Sequence, residues 1–336
     1  MSEFGAHKRL LAMIAVALVV TAAAVFGIAQ AAHYADLIKR LRHAKPAWLV
    51  LCAAGVVLSY CGFVVSYRET AGIAGGPRLP AWIAVRVIGL SFGAFTIATT
   101  VGGLTVDFWA LREAGEPAAR ASARVIALET LRWGILAFAT WAAGIAILVG
   151  VASAPPWPVC AAWVAGVPPC VAAGLWISAP GRRERFTQAE GKIRRALGIA
   201  VQALVYLRGL LTAPLQVRVR AVIGGVVYWA GDLLCAWAAL RSFGTTLGLA
   251  PLLVGYTTGY LAEALPLPAG GSGSVEAAMT GGFVLAGAPI DGALLGAVAF
   301  RVFNFWMPAI PAVVSVLTVR GLRERLQEIA RERVAT

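Results

Sequence analysis

Pro266-Leu267-Pro268-Ala269-Gly270-Gly271-Ser272-Gly273-Ser274-Val275-Glu276 interrupts a chain that is otherwise almost continuously apolar. Proline removes a backbone donor and glycine frees the backbone, so no helix runs through this stretch. An ionised carboxylate such as Glu276 would cost about 3 kcal/mol in hydrocarbon on insertion scales. Non-helical backbone at membrane depth persists only where protein or a watered cavity surrounds it. Secondary transporters build midplane sites from helices broken in this way. The stretch is therefore expected to be the functional centre, and the rest of the chain to be the bundle that encloses it.

Composition places the chain in a membrane. Hydrophobic residues make up 60% and charged residues 13% of its 336 residues, with a mean hydropathy of +0.78. Globular domains carry roughly 25% charged residues. At ~20 residues per span there is room for about seven or eight crossings and little else. The expected fold is all-α: a polytopic helix bundle forming a single domain over 1–336. The net charge of +13 does not point to nucleic acid, because the arginines gather at the ends of apolar runs and in one loop, the pattern of cytoplasmic flanks that also attract anionic lipid. Cys52, Cys61, Cys160, Cys170 and Cys235 show no metal spacing, and His7, His33 and His43 lie far from the break. No metal or cofactor is expected.

Taken in order, 10–32 is long enough to form an uncleaved first span, and 34–43 suits a short interfacial helix. A span over 46–66 ends at Tyr67-Arg68-Glu69. The run 80–101 is apolar except for Arg86 and leads to Gly102-Gly103 and Asp107. A long helix over 118–151 carries Arg120, Arg124, Glu129 and Arg132. Arg120 and Arg124 belong either to the membrane interior or to a protruding helix end, whereas Glu129 and Arg132, three apart, can pair in a cavity. Residues 180–218 read as a basic cytoplasmic loop and interfacial helix suited to anionic lipid. Asp232 lies in a span over 219–240, and Glu263 precedes the break. Arg301 and Asn304 lie in the run 290–319. Residues 320–336 form a cytoplasmic tail whose ion pairs are expected to be surface ones.

The two glycine breaks suggest a duplication of 10–151 in 219–319. Gly102-Gly103 is followed by Asp107, then Gly115-Glu116-Pro117, then Glu129; Gly270-Gly271 is followed by Glu276, then Gly287-Ala288-Pro289, then Arg301. Glu129 follows Gly115 by fourteen residues, as Arg301 follows Gly287, and Trp133 and Phe305 keep the same offset. Three spans between the breaks would bring equivalent segments in from opposite faces. The expectation is an inverted repeat with two broken, re-entrant hairpins, both termini cytoplasmic, the first hairpin entering from inside and the second from outside. Lys39, Arg40, Arg42 and Lys45 would then lie outside, against the charge rule.

Pro266-x-Pro268-x-Gly270-Gly271-x-Gly273-x-x-Glu276, Gly287-x-Pro289, Arg301 and Trp306-x-Pro308 together resemble the flippase-like membrane domain of the lysylphosphatidylglycerol synthase family. The likeness covers nearly the whole chain and is weaker in the first half, where Ala110 and Thr130 stand at positions the family usually fills with arginine. It implies translocation of a lipid between leaflets in a prokaryotic cytoplasmic membrane. Lysyl transfer is not implied, because two-domain members carry a separate soluble domain for it, and here only a short helix follows the last span.

A translocase needs a polar groove open sideways, for which the candidates are Asp107, Glu129, Arg132, Asp232, Glu263, Glu276, Arg301 and Asn304. Gly270, Gly271 and Gly273 would let backbone amides approach the substrate. Arg301 is expected to take a lipid phosphate through its planar fork. Glu276 would pair with Arg301, bind a cationic head group or cap the helix after the glycines. The rival reading is an integral-membrane transferase acting on a polyprenyl-phosphate or phospholipid carrier. A homo-oligomer stays open.

Overall fold

The computed structural model describes residues 42–152, 156–179, 192–264 and 273–335. Among them every regular element is a helix: α1 (Pro46–Gly72), α2 (Ala81–Glu113), α3 (Ala118–Leu148), α4 (Trp157–Ile177), α5 (Lys192–Thr212), α6 (Leu215–Ser242), α7 (Leu249–Tyr260), α8 (Ser274–Leu285), α9 (Ile290–Arg301), α10 (Ala309–Leu317) and α11 (Val319–Ala335). Pro46–Gly75, Ala118–Leu148, Trp157–Ile177, Leu215–Ser242 and Ile290–Leu317 are each long and apolar enough to cross a bilayer. In hydrocarbon a helix satisfies its backbone internally, so the protein is an all-α, multi-pass membrane bundle. The proposed first span, the 34–41 segment and the loop over 180–191 lie outside the described residues.

α1 and α6 form the central seam. They run antiparallel, because Gly55 of α1 meets Gly231 of α6 while Gly62 meets Gly224. A Cβ at Gly55 would lie 2.6 Å from the Gly231 carbonyl oxygen, and one at Gly62 2.6 Å from that of Gly224. Without a hydrophobic drive between helices in lipid, such small-residue contacts are what lets backbones pack. Ser66 Oγ donates to the Ala221 carbonyl at 3.2 Å and ties the same seam.

α2 is not one straight crossing. Ser91 Oγ donates to the Gly103 carbonyl at 3.1 Å, yet twelve residues of straight helix would set them about 18 Å apart. The chain therefore doubles back between Phe95 and Gly103, making a hairpin of two short arms. Gly102-Gly103 was expected to break the helix and instead stays helical. Its role is close approach, since a Cβ at Gly103 would sit 3.2 Å from Ser91 Oγ. Both ends of this hairpin lie beside the tail: Arg86 reaches the Thr318 carbonyl, and Glu113 binds Arg323 at 3.0 Å and Gln327 at 2.8 Å.

α7 and α8 make a second hairpin, with arms of 12 residues each. A Cβ at Gly255 would lie 2.4 Å from the Gly282 carbonyl oxygen, and one at Gly259 2.6 Å from that of Ala278. This hairpin starts at the opposite end of the bundle, where Lys45 N donates to the Ser242 carbonyl at 2.9 Å. The two hairpins thus open toward opposite ends.

Each hairpin leaves through the same corner. Gly115 (φ 83°) and Gly287 (φ 99°) occupy the left-handed region that a Cβ disfavours. Around them Glu116 N reaches the Leu111 carbonyl at 3.0 Å and Ala288 N the Phe283 carbonyl at 2.9 Å, the paired bonds of a Schellman cap. Pro117 and Pro289 then start α3 and α9.

Three boundaries differ from expectation. α1 runs through Tyr67-Arg68-Glu69 to Gly72, because Arg68 Nε caps the Leu79 carbonyl at 2.9 Å instead of turning to water. The run 290–319 is broken by a π-helical turn over Val302–Trp306, where Pro308 cannot donate to the carbonyl of residue 304. The tail docks on the bundle: Leu322 and Leu326 are fully buried, and Arg333 reaches the Gly75 carbonyl at 2.8 Å and Glu116 at 3.1 Å.

Candidate functional site

A cavity of about 80 Å3 open to water lies where the hairpins approach each other. At ~10–15 Å3 per water centre it holds several waters. Both hairpins, α1, α3, α6 and the π turn contribute to its wall. The first hairpin supplies Ser91, Phe92, Phe95 and Asp107; α3 supplies Glu129, Arg132 and Trp133. Phe63 enters from α1, Tyr228 and Trp229 from α6, Tyr260 and Glu263 from the second hairpin, and Asn304 from the π turn.

Arg132 is the guanidinium on this wall. Its Nη1 donates to Glu129 Oε1, at the three-residue spacing that α3 brings onto one face. Its carbon stands 4.1 Å from the Phe63 ring centre and 3.9 Å from that of Tyr228. A weakly hydrated planar cation is held well by aromatic faces. Trp229 Nε1 donates to the Arg132 carbonyl at 2.7 Å and fixes this part of α3 against α6. Arg132 Nε has no hydrogen-bond partner among the described residues.

Behind Glu263 lies a second charged group. Arg301 Nη1 binds Glu263 Oε1 at 3.0 Å, its Nε approaches Glu276 Oε1 at 3.4 Å, and its carbon stacks 4.4 Å from the Phe305 ring. All three ionic side chains are at most 5% exposed. Glu276 does two of its expected jobs at once, pairing with Arg301 and accepting the Gly273 amide at 2.6 Å at the start of α8. The π turn sends Asn304 the other way: its Nδ2 donates to Asp232 Oδ1 at 2.9 Å, while Tyr256 donates to Oδ2 at 3.0 Å.

The expected site residues therefore gather around one point in layers. Asp107, Glu129, Arg132, Glu263 and Asn304 line the cavity. Asp232 sits one hydrogen bond behind Asn304, and Glu276 and Arg301 sit behind Glu263. Gly273 caps α8. Gly270 and Gly271 lie outside the described residues.

Two features escaped the sequence reading. The first is the aromatic wall, where Tyr256 and Tyr260 stack at 5.1 Å and Trp133, Trp229 and Tyr260 touch in turn. Its available signal was the four-residue spacing of Tyr256 and Tyr260 together with the adjacent pair Tyr228-Trp229. The second is a buried pair at the tail end: Arg124 Nε binds Glu116 Oε1 at 2.8 Å, its Nη1 donates to the Ile73 carbonyl, and its carbon lies 4.6 Å from the Tyr206 ring. Arg124 thus takes the interior alternative, while Arg120, one turn earlier, is exposed.

Residues 13–312 match the family model described as the lysylphosphatidylglycerol synthase TM region. No curated protein matches the chain.

Proposed function

The chain belongs to the lysylphosphatidylglycerol synthase TM-region family, and from that premise we propose that it carries a lipid head group between leaflets through the central cavity. The observation that carries this reading is a charged cavity, roomy enough for water, walled by two short hairpins that open toward opposite ends. The second hairpin's arms of 12 residues extend about 18 Å, well short of a ~30 Å hydrocarbon core, and the first doubles back within α2 after the short apolar stretch Ala81–Phe95. Each hairpin is then re-entrant, leaving by the face it entered.

The halves form an inverted repeat in this reading. Its support is the matched corners at Gly115 and Gly287 and the antiparallel glycine seam, in which Gly55 and Gly62 of α1 keep the same spacing as Gly224 and Gly231 of α6. Two similar halves of opposite sense can exchange roles, which is the basis of alternating access. The face bearing the tail is cytoplasmic here, as its arginines favour.

The head group sits between Arg132 and the acidic wall. Arg132 takes the phosphate through donors not used by Glu129. Carboxylates at Asp107, Glu129, Asp232, Glu263 and Glu276 outnumber the guanidiniums of Arg132 and Arg301, so a head group that also carries a positive charge fits better than a purely anionic one. The faces of Trp133, Trp229 and Tyr228 suit an ammonium. Arg301, held by two carboxylates, joins the phosphate path only when the second hairpin moves.

The test uses purified protein in liposomes carrying fluorescent phosphatidylglycerol, phosphatidylethanolamine or polyprenyl-phosphate probes, followed by external quenching. Protein-dependent exchange that is strongest for an amine-bearing probe and lost in Arg132→Ala is expected. If no probe changes leaflet with correctly folded protein, translocation is rejected. A new lipid product in the same vesicles would favour a transferase acting on a lipid carrier.

A further inference from the structure

Asp107 is the cavity carboxyl with the poorest set of partners. It is 1% exposed, and its Oδ1 has no hydrogen-bond partner among the described residues. Arg132, the cation that faces it from α3, donates to Glu129 and is clamped between rings. Glu129 faces it as a like charge. Tyr67 faces it from α1, and Tyr228, Tyr260 and Glu263 look in from the far wall of the cavity.

Among the described residues Ser91 is its hydrogen-bonding neighbour. A hydroxyl has a single proton to give, and that of Ser91 goes to the Gly103 carbonyl at 3.1 Å. With that proton committed, the Ser91 oxygen can accept one from a protonated Asp107. A candidate donor to an ionised Asp107 stands on α1: Tyr67 OH is buried, interacts electrostatically with Asp107 and has no hydrogen-bond partner among the described residues. The seam behind Tyr67 is too narrow to hold water, with a volume open to water of ≈ 0 Å3. Arg124 closes it at the tail end, and a fixed guanidinium excludes protons from such a passage. Among the described residues the cavity is the water-sized opening that Asp107 lines.

We propose that Asp107 is a proton-binding site with two states. In one, the protonated carboxyl donates to Ser91; in the other, the ionised carboxyl accepts from Tyr67. Resting on the translocation reading, the second half of the proposal is that a cationic head group entering the cavity displaces this proton and a departing one is replaced by it. Lipid movement is then an exchange of one positive charge for another, and no bond other than the O–H bond is made or broken.

The proton site is tested first, without lipid transport. Infrared difference spectra of the purified protein in nanodiscs are recorded from mildly acidic to alkaline solution. The expected result is a carboxylic-acid carbonyl band that disappears in Asp107→Asn, shifts in frequency in Asp107→Glu and survives in Glu129→Gln. In Tyr67→Phe, which lacks the donor to the ionised form, the band should persist to more alkaline solution. A spectrum in which Asp107→Asn and Asp107→Glu both leave every acid band in place overturns the proposal.

Coupling is tested in liposomes with a trapped pH indicator. An imposed proton gradient should raise directional exchange of an amine-bearing probe at least tenfold over the gradient-free rate, with matching proton movement, and Asp107→Asn should abolish the gradient effect. Lipid exchange indifferent to the gradient overturns the coupling. Loss of the acid band in Asp107→Asn with no lipid movement keeps the proton site and overturns the translocation reading instead.

Discussion

Gly55 and Gly231 are packed backbone to backbone across the central seam: a Cβ on Gly55 would lie 2.6 Å from the Gly231 carbonyl oxygen, and a Cβ on Gly231 2.5 Å from that of Gly55. The contact is reciprocal because the two helices are antiparallel and each offers the same kind of surface to the other. Neither carbonyl can retreat, since both are held in helical hydrogen bonds. Gly231→Ala should therefore destabilise the bundle by about 1–3 kcal/mol, the usual effect of overpacking. Thermal unfolding in detergent measures it. Gly134, on α3 with open space around its Cβ position, is the control, and Gly134→Ala should gain up to ~1 kcal/mol from helix propensity.

Gly282 does the same work inside the second hairpin, where an added Cβ would meet the Gly255 carbonyl oxygen at 2.2 Å. Gly282→Ala should wedge α7 and α8 apart and move Glu276 away from Arg301. Spin labels on exposed Leu249 and Leu285 should report a wider separation. An unchanged distance, with lipid exchange intact, would show that the hairpin absorbs the methyl group.

Arg301 and its two carboxylates form a buried unit, so single removals should do more harm than the unit is worth. Arg301→Met leaves Glu263 and Glu276 without their cation and should cost about 3–5 kcal/mol. Adding Glu263→Gln to Arg301→Met should restore part of that loss. A double-mutant cycle on unfolding free energies checks this, and additivity within ~0.5 kcal/mol would mean that the pair is not coupled.

Arg132→Lys keeps the charge but loses the flat face that lies between Phe63 and Tyr228. An ammonium is a compact, strongly hydrated ion and stacks poorly. Lipid exchange should fall about tenfold, corresponding to ~1.4 kcal/mol, with less effect on stability than Arg132→Ala. Equal exchange rates for Arg132→Lys and the unsubstituted protein would separate the stacking from the function.

The tail is fastened by Arg333 to Glu116 and to the Gly75 and Ala114 carbonyls. Its guanidinium is part-exposed, so the anchor is worth about 1 kcal/mol and acts locally. Arg333→Ala should speed amide exchange over 327–335 severalfold without altering exchange in α1 or α6. Protection that stays unchanged would place the docking energy in Leu322 and Leu326 instead.

How much of this was legible in the sequence differs from element to element. Glu129 and Arg132 were readable as a pair because a helix fixes what lies three residues away. The corners at Gly115 and Gly287 were readable as equivalents because a glycine followed two residues later by proline specifies both a left-handed cap and a new helix start. Arg301 and Glu276 were readable as partners only through the expense of leaving either charge alone in hydrocarbon.

Other relations have no local signature. The doubling back of α2 leaves Gly102-Gly103 helical, so the glycines pointed to the right region and the wrong event. Arg124 and Arg120 are one turn apart and chemically identical, yet one is buried on Glu116 and Tyr206 and the other is exposed. Which of them turns inward depends on where α5 and the tail come to rest.

Apolar length, charge placement and the proline and glycine punctuation by themselves determined the membrane class, the all-α fold and which polar residues interrupt the apolar runs, because the bilayer penalises any other arrangement of those residues. Tertiary structure alone decided that Asp107 faces Tyr67 across α1 and α2, that Arg132 rather than Arg301 meets the cavity, and that the aromatic rings converge there. These depend on how helices far apart in sequence pack against one another, which hydrophobicity specifies only as a requirement to be covered and close contact between particular side chains settles.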